Sequence, residues 1–199
     1  MSKNYARSNA RGRIRGRGFT AIELLVTLSV SAILLAIAVV NFSDRVQQAK
    51  SEGASDGFLR AAASARALAS QTGSRTVLLV QTNTNTLSGT SVTGSCGDAA
   101  WAVVRWDTNT STGVAQPKAV TCLSKTDFTA RYGNAVLNVD ACAASSELPG
   151  MCSVSYLPSG IGANTNTVTL SFIAGANTGS AKTVQVQIQP GGKASVKTS

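Results

Sequence analysis

From Ala21 to Val40 the chain reads AIELLVTLSVSAILLAIAVV, an apolar and small-residue run broken by a single charge, Glu23. As a helix such a run rises about 30 Å, the thickness of a bilayer's hydrocarbon core, so one membrane-spanning helix is predicted. Asn41-Phe42-Ser43-Asp44-Arg45 marks the exit into water. Helical spacing then resumes, with Phe58, Ala61, Ala62, Ala65, Leu68 and Ala69 at i, i+3, i+4, i+7, i+10 and i+11. They draw one apolar stripe, leaving Arg60, Ser64 and Arg66 on other faces. Gly73 is a natural stop. Continuity from Phe19 to Thr72 would give a rod of about 80 Å. Gly53 and Gly57 each cost about 1 kcal/mol inside a helix, so a break or flexible point is expected there.

Beyond Gly73 the period shortens. Thr76–Val80, Trp101–Trp106, Ala119–Leu123, Ala135–Val139 and Ser153–Leu157 are candidate strands, separated by Gly, Asn, Ser and Pro. Val168, Leu170 and Phe172 alternate with Thr167, Thr169 and Ser171, and Val184, Val186 and Ile188 alternate with Gln185 and Gln187. Both runs read as strands with one buried and one wetted face. The Gly175–Gly179 loop between them suggests a hairpin, and Lys193–Lys197 a short last strand. Trp101 and Trp106, five apart along one strand, fall on opposite faces. Thr82–Ser95 is polar and of low complexity, the pattern of an exposed loop. The fold class is therefore α+β, a long N-terminal α-helix whose first half is transmembrane, packed on a C-terminal antiparallel β-sheet domain.

Charge changes the picture less than its total suggests. Of the formal +9, six units are Lys3, Arg7, Arg11, Arg13, Arg15 and Arg17, all ahead of Phe19; without them twelve basic residues face nine acidic ones, a net +3. A basic stretch before an apolar segment holds the start of a chain in the cytoplasm, which explains it better than nucleic-acid binding. The four cysteines, Cys96, Cys122, Cys142 and Cys152, all follow the apolar run. An even count after an export-type segment favours two disulfides over one, or over free or metal-bound thiols. Of the three connectivities, the local closure Cys142–Cys152 with Cys96–Cys122 is preferred. With no histidine in the chain, a structural zinc would need all four thiolates, and histidine-based triads and the usual zinc catalytic sites are excluded. There is no Gly-x-Ser-x-Gly elbow and no phosphate-cradling loop. Asp98 and Asp107 are an acidic pair of the kind that binds calcium, but turn capping accounts for each. An enzyme is not expected, and no cofactor or metal is called for.

The junction Arg17-Gly18-Phe19-Thr20-Ala21-Ile22-Glu23-Leu24-Leu25 resembles the processing site of type IV prepilins. An ordinary secretory signal is cut after its apolar core; this resemblance implies a cut before it, between Gly18 and Phe19, by a prepilin peptidase, so the membrane helix stays on the mature chain. It further implies N-methylation of Phe19, with the positive charge kept, and pairing of Glu23 with the amino terminus of a neighbouring subunit. A carboxylate inside an apolar helix costs about 2.5–3.5 kcal/mol on insertion scales and usually marks a partner or a function.

The later elements resemble the GspH/FimT (FimU-like) group of minor pilins and pseudopilins. Three segments carry that resemblance: Trp101–Asp107, the turn Tyr156-Leu157-Pro158-Ser159-Gly160, and the terminal hairpin Val168–Ile188 running into Pro190-Gly191-Gly192-Lys193. Val40 stands where many relatives have a helix-bending proline, and Lys193 where many have an arginine. The resemblance implies a basic leader (1–18), a transmembrane assembly helix (19–43), its amphipathic continuation (44–73) and a periplasmic β-rich domain (74–199). The expected function is that of a minor pilin of a type IV pilus, anchored in the inner membrane. Its expected partners are other pilin subunits, prepilin peptidase and the pilus assembly platform. The alternatives are a pseudopilin of a type II secretion system, or a minor pilin that binds DNA through Lys182, Lys193 and Lys197. DNA is the weaker expectation, because the arginine element is lacking.

Overall fold

Helix α1 (Ala21–Thr72) stops where the sequence says it should, at Gly73 with φ of 63°, a left-handed turn open to glycine. It belongs to a computed structural model that describes residues 19–81, 99–108, 113, 115–142, 152–175 and 181–197. The chain divides into two units, one up to Asn41 and one from Phe42 onward. The predicted leader (1–18) and the polar Thr82–Ser95 stretch lie outside the described residues.

In the second unit α1 is unbroken at both helix glycines, against the expectation of a break. The reason is a neighbour. The ring of Tyr132 lies on the helix there, and a methyl group on Gly57 would come 2.5 Å from its hydroxyl. Gly57 is thus a place where a side chain must lie close against the helix backbone rather than a hinge.

Strand β1 (Thr76–Val80) is buried at all five positions. It pairs antiparallel with β2 (Ala99–Thr108) on one side and β5 (Cys152–Tyr156) on the other, and β2 in turn pairs with β3 (Ala115–Ser124). The first sheet therefore runs β3-β2-β1-β5. Leu78 and Val80 join the main core, while Val77 and Leu79 join a second cluster with Ala102 and Val104. Burial on both faces is why TVLLV reads as a continuous apolar run rather than an alternation. Trp101 is in the main core and Trp106 packs against the second cluster, on the opposite faces their spacing predicted.

The second sheet, ordered β4-β6-β7-β8, comprises β4 (Val136–Ala141), β6 (Val168–Ala174), β7 (Lys182–Ile188) and β8 (Ala194–Lys197). Val168, Leu170 and Phe172 are fully buried, as are Val186 and Ile188. Val168 sits opposite Ile188 and Ala174 opposite Lys182, the hairpin pairing the alternation implied. Between α1 and both sheets lies one core, to which α1 contributes Ala54, Phe58, Ala62, Ala65 and Ala69. Small residues let the helix lie close, and Phe58 reaches Trp101 edge-on at 5.7 Å and Phe172 at 5.8 Å.

One element was not foreseen. Helix α2 (Lys125–Tyr132) follows β3, its start capped by Ser124 and its end closed by Gly133. Phe128 and Tyr132, one turn apart, meet edge-to-face at 5.1 Å, and Phe128 meets Trp101 at 5.6 Å.

Two motifs far apart in sequence meet. The phenol of Tyr156, fully buried, donates a long hydrogen bond of 3.4 Å to the carbonyl of Gly192, and Gly162 N–H donates to Gly191 O at 3.0 Å. A side chain on Gly192 (φ 85°) would lie 2.7 Å from the Tyr156 ring. The turn after β5, in the first sheet, is thereby fastened to the turn between β7 and β8, in the second.

Candidate functional site

The start of α1 is built from three residues. The carbonyl of Thr20 accepts the first helical bond, from Leu24 N–H at 3.2 Å, which makes Thr20 the N-cap. Its hydroxyl accepts from Glu23 N–H at 3.3 Å, while Glu23 Oε2 accepts from Thr20 N–H at 2.9 Å and from the Thr20 hydroxyl at 3.0 Å. This is a complete capping box, satisfying two donors the helix would otherwise leave open. A carboxylate at this end also complements the helix dipole. The other oxygen, Oε1, has no hydrogen-bond partner among the described residues. Thr20-Ala21-Ile22-Glu23 directly ahead of an apolar run carries the capping-box signature, a signal that a reading of Glu23 for assembly alone passes over.

Behind the box the helix is apolar on every face. Phe19 is 84% exposed, and Ile22, Leu25, Ile33, Leu34 and Leu35 are all more than 60% exposed. No residue of the apolar window is buried, and α1 is long and apolar enough to cross a membrane. A helix apolar all round is at home in lipid or in a protein core. Two hydroxyls inside it are satisfied by the helix itself: Thr27 donates to Leu24 O at 2.9 Å and Ser29 to Leu25 O at 2.8 Å. Gly18, the expected cleavage residue, lies outside the described residues; Phe19 and Glu23 are within them.

The remaining candidates lie in the second unit. Cys142 and Cys152 are joined, with Cα atoms 5.7 Å apart, as the local closure predicted. Cys122 is disulfide-bonded too, and its expected partner Cys96 lies outside the described residues. The lysines are spread along the terminal hairpin. Lys182 opens β7 opposite Ala174, Lys197 pairs with Gln185, and Lys193 sits in the turn at the far end, its carbonyl accepting from Gln189 N–H. At about 3.3 Å per residue, roughly 20 Å of strand separates Lys182 from the turn that holds Lys193. Lys182 and Gln185 are an odd number of positions apart, so Lys182 and Lys197 point to opposite faces. The strands do not gather the three into one patch.

Asp107 is spoken for. Arg105 grips it with Nε at 2.5 Å and Nη2 at 2.6 Å, a forked pair between same-face neighbours of β2. That hydrogen bonding holds the Asp107 carboxyl below its usual range. Asp98 lies outside the described residues. Among the described residues no group of three Cys, Asp or Glu side chains gathers to hold a metal.

Compared with protein-family models, curated proteins and solved structures, the chain finds no match in any of the three.

Proposed function

We propose that this protein is a structural subunit of a type IV pilus or closely related filament, a minor pilin. In this reading it is cut after Gly18, held in the inner membrane by α1, and assembled by packing that helix among its neighbours. The supporting observation is the pairing of an all-round apolar helix with a lone carboxylate at its first turn. Lipid accounts for the apolar faces. It does not account for Glu23, whose Oε1 keeps an unused acceptor at the position where cutting would create a new ammonium group at Phe19. An ammonium from an adjacent subunit supplies the missing partner, and a charge-assisted bond in lipid is strong enough to set the stagger between helices.

The test is the intact mass of the protein extracted from membranes of a host with prepilin peptidase. Loss of residues 1–18 with one added methyl group is expected. A mature chain still beginning at Met1 overturns the reading. Deleting the gene is expected to abolish twitching motility with enzyme secretion intact; the reverse result assigns the subunit to a secretion pseudopilus.

A further inference from the structure

Between the second half of α1, the outer strand β3 and α2 lies an open cleft of about 530 Å³. On the α1 side it is lined by small residues, Gly57, Ala61 and Ser64. Tyr132 of α2, Thr121 and Leu123 of β3 and the largely buried Trp101 of β2 line the rest. Two arginines from different elements line this space, Arg60 from α1 and Arg131 from the last turn of α2.

Each arginine has an aspartate four residues before it, Asp56 and Asp127, the spacing at which helical ion pairs form. Neither pair is made. Asp127 is drawn the other way: its N–H donates to Ser124 Oγ at 2.9 Å, and the Ser124 hydroxyl donates to its carboxylate at 2.9 Å. The cap that starts α2 thus takes the acid Arg131 would otherwise hold. Among the described residues neither guanidinium has an ion-pair partner. Two like charges facing one cleft repel, and an arrangement of this kind gains most from an anion placed between them. The Tyr132 hydroxyl has no partner among the described residues either, and it supplies a neutral donor on the same wall.

We propose that this cleft binds a small oxyanion, a carboxylate or phosphate, carried on an aromatic or compact apolar body. The forked donors of Arg60 and Arg131 match the planar geometry of a carboxylate or the face of a phosphate. The half-buried Tyr132 ring, with Ala61 and Leu123 beside it, takes the apolar body, a division of labour common to small-ligand sites. The inference concerns the second unit alone and does not depend on the filament reading.

The experiment uses the full-length protein in an uncharged detergent, with tryptophan fluorescence followed during titration. Phenyl phosphate and benzoate are the probes, and inorganic phosphate and benzyl alcohol supply anion and ring separately. Saturable quenching by at least one of the two probes is expected, and the one saturating at lower concentration identifies the anion. Half-saturation should rise at least tenfold in Arg60→Gln and in Arg131→Gln, both exposed positions, and stay unchanged in Arg66→Gln, which lies outside the cleft. A linear response to both probes overturns the proposal. So does equal potency of inorganic phosphate or benzyl alcohol, or indifference to the Arg60 and Arg131 substitutions.

Discussion

A methyl group at Gly53 would touch the Tyr132 ring at 3.6 Å, an ordinary contact, whereas at Gly57 it would meet the hydroxyl at 2.5 Å. The two helix glycines, identical in propensity, are therefore opposite in consequence. Gly53→Ala should raise stability by about 0.5–1 kcal/mol through helix propensity. Gly57→Ala should show none of that gain, and removing the hydroxyl with Tyr132→Phe in the same chain should restore it; thermal unfolding of the four proteins reads the difference. Gly192 is more constrained, with a positive φ and the Tyr156 ring behind it. Gly192→Ala should cost about 2 kcal/mol or more by the same measurement. Tyr156 itself carries a pH signature. Burial pushes its phenol up to about 12, opposed by the nearby charge of Arg66. The folded state then holds a proton the unfolded state has already released. The contribution is present below pH 10 and lost as pH rises from about 10 to 12, at most about 2–3 kcal/mol in all. Tyr156→Phe should flatten that alkaline fall in stability.

Among the elements, what was legible followed from period. The two-residue alternation of β6 and β7 and the stripe on α1 state their buried faces outright, and Gly73 fixes the helix end. Strand β3 begins four residues ahead of the apolar pattern, because Ala115-Gln116-Pro117-Lys118 is polar and contains a proline. Pairing with β2 carries it back to Ala115, and a sheet edge is where proline is tolerated. Helix α2 was missed for want of length. Eight residues with only Phe128 and Tyr132 for an apolar face give periodicity little to show, and the signal lay in its ends, Ser124 with Asp127 and then Gly133. Removing the cap tests how much the element relies on it. Ser124→Ala should cost about 1 kcal/mol in chemical denaturation, and it should also release Asp127 toward Arg131.

For the whole molecule, the long-range ties were the least legible part. Nothing in the sequence announces that Tyr132 lies on Gly57 or that the Tyr156 turn closes on Gly192, because each contact depends on how sheets and helices come together. The apolar run and the Cys142–Cys152 closure were easier to read, since neither needs long-range tertiary detail. The Cys142–Cys152 bond has a structural role beyond loop closure. It ties the end of β4, in the second sheet, to the start of β5, in the first. Replacing both cysteines by serine should lower stability by about 2–3 kcal/mol, the loop-closure entropy for a separation of this order; denaturation with and without reductant measures it.

The Thr20–Glu23 box gives the proposed assembly a thermodynamic consequence. A carboxylate that already holds two donors of its own helix does not enter a filament as a bare charge. What a neighbour's ammonium gains is a difference, the new bond minus any part of the cap given up for it. In the proposed assembly, a monomer held in the membrane would thus be spared the full cost of an unpaired ion before a neighbour's ammonium arrives.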